Sequence, residues 1–238
     1  MTIISLLLLV SLLPHMTFTD HVNVGIVNGT EAKPHSRPYM VSVQLNKKHI
    51  CGGFLISDEF VLTAGHCREG TQILTVVIGA HDLRNSKNSD RIGVNSYIKH
   101  PSYITDPPQN GIMLLRLQEK VNVNNYVNWI PLPKDGGDVE ADTICSVAGW
   151  GQLETNGQNS NRLMEASVDV LFWVSSQYDS GGPLVCGDIA VGITEFGSNL
   201  QCNSPQLPNV YTKISAYIQW INSYLFQPHI CPLKINAL

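Results

Sequence analysis

Phe60-Val61-Leu62-Thr63-Ala64-Gly65-His66-Cys67 is the stretch from which this chain is best read. Five residues of strand-forming character run into glycine, histidine and cysteine, so the segment reads as a short buried strand ending at a turn. Similar apolar runs occupy residues 40–45, 53–56, 74–78, 112–117, 146–149 and 190–193, separated by clusters of Gly, Asn, Asp and Pro. Many short strands joined by tight turns predict an all-β chain, an antiparallel sandwich or barrel. One segment has helical period. Ile214, Tyr217, Ile218, Ile221, Tyr224 and Leu225 recur at i, i+3, i+4 and i+7, and Ser215 is placed to cap a C-terminal helix.

At 238 residues, 43% hydrophobic and 14% charged, the chain can bury one large core or two smaller ones that share a boundary. Net charge is -4 and no basic run carries interleaved aromatics, which excludes the usual signature of a nucleic-acid binder. Lys47-Lys48 reads as a charged turn. The apolar run from 3 to 13 is too short to span a bilayer and suits the central region of a secretory signal peptide, although no basic residues precede it. A buried N-terminal helix is the alternative. Residues 1–19 are therefore expected to be a signal peptide on a secreted or granule-stored product with no membrane association. Six cysteines in an exported chain point to disulfides, with 15 pairings open to the sequence alone. His49, Cys51, His66 and Cys67 offer zinc-type ligands, but neither C-x-x-C nor H-E-x-x-H is present, so no metal or cofactor is expected.

Downstream stands Asp179-Ser180-Gly181-Gly182-Pro183. A serine hydroxyl is a weak nucleophile at neutral pH and needs a base for its proton and N–H donors for the developing oxyanion. Ser180 and His66 supply the first two parts. The nucleophile elbow G-x-S-x-G is ruled out by Tyr178. With Gly149-Trp150-Gly151 between them, the histidine and serine segments resemble those of the chymotrypsin-family (trypsin-like) serine proteases. Cys51-Gly52-Gly53-Phe54-Leu55 and the stretch 110–117 are similar to the granzyme and mast-cell protease group.

The resemblance implies two six-stranded antiparallel Greek-key barrels with a C-terminal helix, the first from about residue 26 to 117 and the second from about 131 onward, with the site in the cleft between them. It implies a propeptide at 20–25, a protease domain at 26–226 and a tail at 227–238 outside the family fold. It pairs Cys51 with Cys67 and Cys145 with Cys186, and leaves Cys202 free or joined to Cys231. It makes His66 the base, Ser180 the nucleophile, and the backbone N–H groups of Tyr178 and Ser180 the oxyanion donors. Asp179 would pair with the new amino terminus at Ile26 after cleavage. Asn209 and Gly197 would line the specificity pocket. Gly25 precedes Ile26, so the activating enzyme is not expected to be trypsin-like.

Three departures from the family pattern bear on activity. Gly111 stands where the family has the aspartate that orients the histidine, and amide replacement of that aspartate costs about 10⁴ in turnover. Asp106, before Pro107-Pro108, reads as a loop residue. Glu195 admits two readings: it projects into the space emptied at Gly111 and reaches His66, or it turns to solvent in the cleft. Tyr178 replaces a glycine whose N–H is an oxyanion donor, and loss of one donor costs about 10²–10³ in rate. The segment between Gly151 and Ser180 is also short, so the second barrel and its pocket are expected to be incomplete. The sequence thus supports a serine endopeptidase, impaired by these changes, acting on protein or peptide substrates as a monomer and open to protease inhibitors. A non-catalytic homologue acting as a protein-binding module is the alternative.

Overall fold

The computed structural model describes residues 29–85, 87, 89–106, 108–140, 143–152, 158–169, 179–195 and 211–226. Each apolar run named above falls within a strand to within one residue. After the two-residue β1 (Thr30–Glu31) come β2 (Met40–Leu45), β3 (Lys48–Leu55), β4 (Phe60–Ala64), β5 (Leu74–Ile78) and β6 (Asp90–Lys99). A small ribbon, β7 (Ile104–Thr105) with β8 (Pro108–Gln109), precedes β9 (Ile112–Leu117). Strands β2-β3-β4-β9-β6-β5 close into a barrel. Its interior is filled by side chains such as Val41, Phe54, Leu62, Val76 and Leu114, all fully buried.

The second half contributes β10 (Ile144–Gly149), β11 (Met164–Asp169), β12 (Pro183–Cys186), β13 (Ile189–Thr194) and β14 (Tyr211–Lys213). With β1 these form a six-stranded sheet in the order β1-β11-β10-β12-β13-β14. Among the described residues this second sheet is open, while the first is closed. The expectation of two six-stranded antiparallel barrels is met by one closed six-stranded barrel and a second six-stranded antiparallel sheet. Asn46 and Lys47 both take positive φ, at 51° and 65°, and connect β2 to β3 as the two-residue turn that matches strand twist.

Residues 214–225 are helical, but in two parts. A 3-10 turn at Ile214–Tyr217 leads into α1 (Ile218–Leu225), and neither start has a side-chain cap. Ser215 therefore does not serve as the predicted cap: it lies inside the 3-10 turn and is buried there. Ile214, Ile218 and Ile221 join the core of the first barrel, which also reaches Val185, Ala190 and Ile193 of the second sheet. One apolar core thus runs across the boundary between the two units, so their relative placement is set by packing. Among the described residues no helix is long and apolar enough to cross a membrane. The tail 227–238 lies outside the described residues, as do Ile26, Tyr178, Gly197, Cys202, Asn209 and Cys231.

The barrel core allows a direct test. Leu114 is fully buried, so Leu114→Ala should lower stability by about 2–5 kcal/mol through lost transfer energy and a residual cavity. Ile73 is 80% exposed, and Ile73→Ala should change stability by less than about 0.5 kcal/mol. Urea unfolding of both variants checks the contrast.

Candidate active site

Strand β4 carries the chain into a 3-10 turn at Gly65–Cys67, and this turn presents His66. Ala64 pairs with Ile112 across β4 and β9, and the amide of Gly65 donates to the carbonyl of Gly111 at 2.9 Å. The register therefore sets Gly111 beside His66. Cys67 is joined to Cys51 on β3, and Cys145 on β10 to Cys186 on β12. The sulfurs of Cys51 and Cys67, considered above as zinc ligands, are bound to each other.

Ser180 reaches the same place from the second sheet. Its carbonyl accepts from the Gly52 amide at 2.8 Å, while Gly181 donates to Thr194 at 2.7 Å and Thr194 to Gly182 at 2.9 Å. Gly181 has φ of +85°, and a Cβ there would strike Thr63 Oγ1 and the Gly52 carbonyl. Both the backbone conformation and the close approach of the histidine loop require glycine at this position. Thr63 Oγ1 also donates to Gly52 O at 2.8 Å, which ties the strand before His66 to the carbonyl against which the serine loop rests.

Glu195 follows β13 directly and turns inward. Its Oε2 lies 3.1 Å from His66 Nδ1, and its Oε1 accepts from Thr212 Oγ1 at 2.8 Å. A side chain at position 111 would overlap this carboxylate. The glutamate thus fills the volume left by Gly111, and its side chain is only 13% exposed. Asp106 is exposed in the turn between β7 and β8. Tyr103 and Tyr217 flank the site. Burial first, and then the charge of Glu195, pushes both phenols above their ordinary value. Tyr217 donates its hydroxyl hydrogen to Asn110 Oδ1 at 3.0 Å.

Asp179, beside the serine, is 3% exposed. Its Oδ1 lies 2.7 Å from His49 Nε2, and its Oδ2 accepts from the Trp150 amide at 2.9 Å. A Cβ at Gly149 would overlap the Asp179 side chain, so the glycine before Trp150 is the space in which this carboxylate sits. The chain of donors continues outward. Arg91 can only donate, and it donates to Gln44 Oε1 at 2.8 Å, which turns the Gln44 amide NH₂ onto Ser42 Oγ at 3.0 Å. Ser42 in turn meets His49 Nδ1 at 2.9 Å. The directions agree when Ser42 donates to Nδ1 and His49 donates Nε2–H to Asp179. His49, like Thr212, is a residue that the sequence does not connect to the site. No local motif marks it, because its partner is 130 positions away.

The Trypsin family matches residues 26–172 and 174–221. This chain belongs to the trypsin family of serine proteases. It is 37% identical over 231 residues to mast cell protease 3 of Ovis aries, covering 85% of this chain and 90% of that protein. It is 36% identical over 227 residues to granzyme B of Rattus norvegicus, covering 82% and 89%. Among solved structures, human heparin binding protein superposes with a TM-score of 0.78 at 31% identity, covering 85% of this chain and 98% of that one. This trypsin-family chain differs from the family pattern in the source of the acid beside its histidine: the acid lies on the second sheet, after β13, and the first barrel supplies only Gly111.

Two outcomes test the site geometry. Gly111→Asp forces a second carboxylate onto Glu195 and should lower stability by about 1–3 kcal/mol from overlap alone. Adding Glu195→Ser should recover most of that loss; strictly additive effects in urea unfolding would mean that Glu195 does not occupy this space. Separately, Glu195→Gln removes a negative charge beside Tyr103 and Tyr217. Both phenols should then titrate lower while staying above the ordinary phenol value, because burial persists. An ultraviolet titration reads this shift.

Proposed function

We propose that this chain is a serine-type endopeptidase in which Glu195 takes the place of the missing aspartate. The observation that carries the reading is the contact of Glu195 Oε2 with His66 Nδ1, made in the space left by Gly111. A carboxylate at Nδ1 accepts that nitrogen's hydrogen, so the neutral ring keeps its lone pair on Nε2. Nε2 then takes the proton of Ser180 as Oγ attacks a peptide carbonyl, and Glu195 stabilises the imidazolium that forms. The amine leaves with that proton and Ser180 is left acylated. Water, deprotonated by the same nitrogen, then releases the acid and restores the serine. The family resemblance would assign the backbone N–H groups of Ser180 and Tyr178 to the developing oxyanion. On this reading tyrosine at 178 and the short segment before Ser180 would reduce the rate, and the family resemblance would assign Asn209 and Gly197, outside the described residues, to the specificity pocket.

Activation follows from the buried carboxylate. In the uncleaved chain Asp179 is held by His49; cleavage after Gly25 frees the amino group of Ile26, which displaces His49 and pairs with Asp179. Exchange of one partner for another avoids leaving a buried carboxylate alone, a state that costs about 3–5 kcal/mol. The substrates are proteins or peptides, the monomer needs no cofactor, and the product is secreted or granule-stored, in keeping with the mast cell protease and granzyme relatives.

A fluorophosphonate reagent tests this reading. The chain cleaved before Ile26 should be labelled, Ser180→Ala should not be, and Glu195→Gln should label more slowly by about 10³–10⁴. A cleaved and folded chain that takes no label is a binding homologue, not an enzyme. Labelling unchanged in Glu195→Gln would remove Glu195 from the mechanism.

A further inference from the structure

The carboxylate that meets His66 is carried by a longer side chain than the aspartate it replaces, and it arrives from the opposite unit. Glutamate has one more rotatable bond than aspartate, so a second anchor is required if it is to keep one geometry. One such anchor is present among the described residues. Thr212 on β14 lies opposite Ile193 on β13, two residues before Glu195, and its Oγ1 donates to Glu195 Oε1 at 2.8 Å. The other hydroxyl near this carboxylate on the α1 side, that of Tyr217, is committed to Asn110 Oδ1. The two oxygens of Glu195 are therefore divided, Oε2 to the histidine and Oε1 to the threonine.

We infer that Thr212 is the positioning residue of this site: its hydroxyl holds Glu195 in the orientation that presents Oε2 to His66 Nδ1, and so fixes the ring tautomer. Thr212 touches neither substrate nor nucleophile; it acts through Glu195. The inference rests on the proposed role of Glu195 as the acid partner of His66. A β-branched residue suits the position, since it keeps strand geometry at β14 while its hydroxyl is turned to the carboxylate. Its methyl group is expendable for this role, and its hydroxyl is not.

The test compares Thr212→Val, which keeps the shape and removes the hydroxyl, with Thr212→Ser, which keeps the hydroxyl. Long-range proton–nitrogen NMR of the imidazole in the full-length chain reads the His66 tautomer without any need for activity. The parent chain and Thr212→Ser should hold the proton on Nδ1, whereas Thr212→Val should shift population towards the Nε2–H form by about 10-fold or more, as expected for loss of a hydrogen bond to a charged group. Acylation of the chain cleaved before Ile26 should slow by a similar factor in Thr212→Val and recover in Thr212→Ser. An unchanged tautomer in Thr212→Val, or a serine variant that behaves like valine, overturns the role of Thr212. A parent chain that shows the Nδ1–H tautomer but takes no label overturns the enzymatic reading and leaves the positioning role standing.

Discussion

A buried carboxylate that must never be left without donors governs the site, and Asp179 carries it. A charged group withdrawn from water is tolerated only when donors replace its hydration. Here one donor is the ring of His49, on the closed barrel, and the other is the amide of Trp150, in the second unit. Ser180 is the next residue along the chain. Its position thus follows from how its neighbour is satisfied, and any change of partner at Asp179 would reach Ser180 through one peptide unit. Gly149 contributes by lacking a side chain, since the space its Cβ would take is already occupied by Asp179.

The second constraint is steric exclusion between positions 111 and 195. One volume beside His66 Nδ1 can hold a side chain from the first barrel or one from the second sheet, but not both. Glycine at 111 and glutamate at 195 are therefore a single structural choice made at two positions. Moving the acid across the cleft changes what the histidine contact depends on. An aspartate at 111 would share a barrel with His66, whereas Glu195 reaches it only because the two units are docked through a common core that includes Ile193 and Ile214. Docking of the units and orientation of the histidine become one event.

Much of the fold was legible in the sequence. The runs at 40–45, 60–64, 74–78 and 112–117 coincide with β2, β4, β5 and β9, because their interior positions are apolar enough to stand above the turns around them. Strand β6 was not legible. It is ten residues long with many polar positions, and a register shift between Val94 and Ser96 breaks the two-residue alternation by which a strand is recognised. Strand β11 alternates polar and apolar residues without a continuous apolar run, and β12 is only four residues long and opens on a proline. Ser215 looked like a cap because the helical period begins at Ile214, but the chain opens with a 3-10 turn that takes the serine inside. At the site, His66, Ser180 and Asp179 could be picked out from local motifs. Glu195 was open to two readings, and His49 and Thr212 carried no local mark.

The sequence by itself determined the family, the strand-rich class and the absence of an acid at position 111, because these depend on residue type and local order along the chain. Tertiary structure decided which way Glu195 faces, that Thr212 meets its second oxygen, and that His49 holds Asp179. Each of these is a contact between groups far apart in the chain, and its existence depends on strand register and on the docking of two units around a shared core. A carboxylate has the same chemistry wherever it stands; only packing selects the nitrogen it meets.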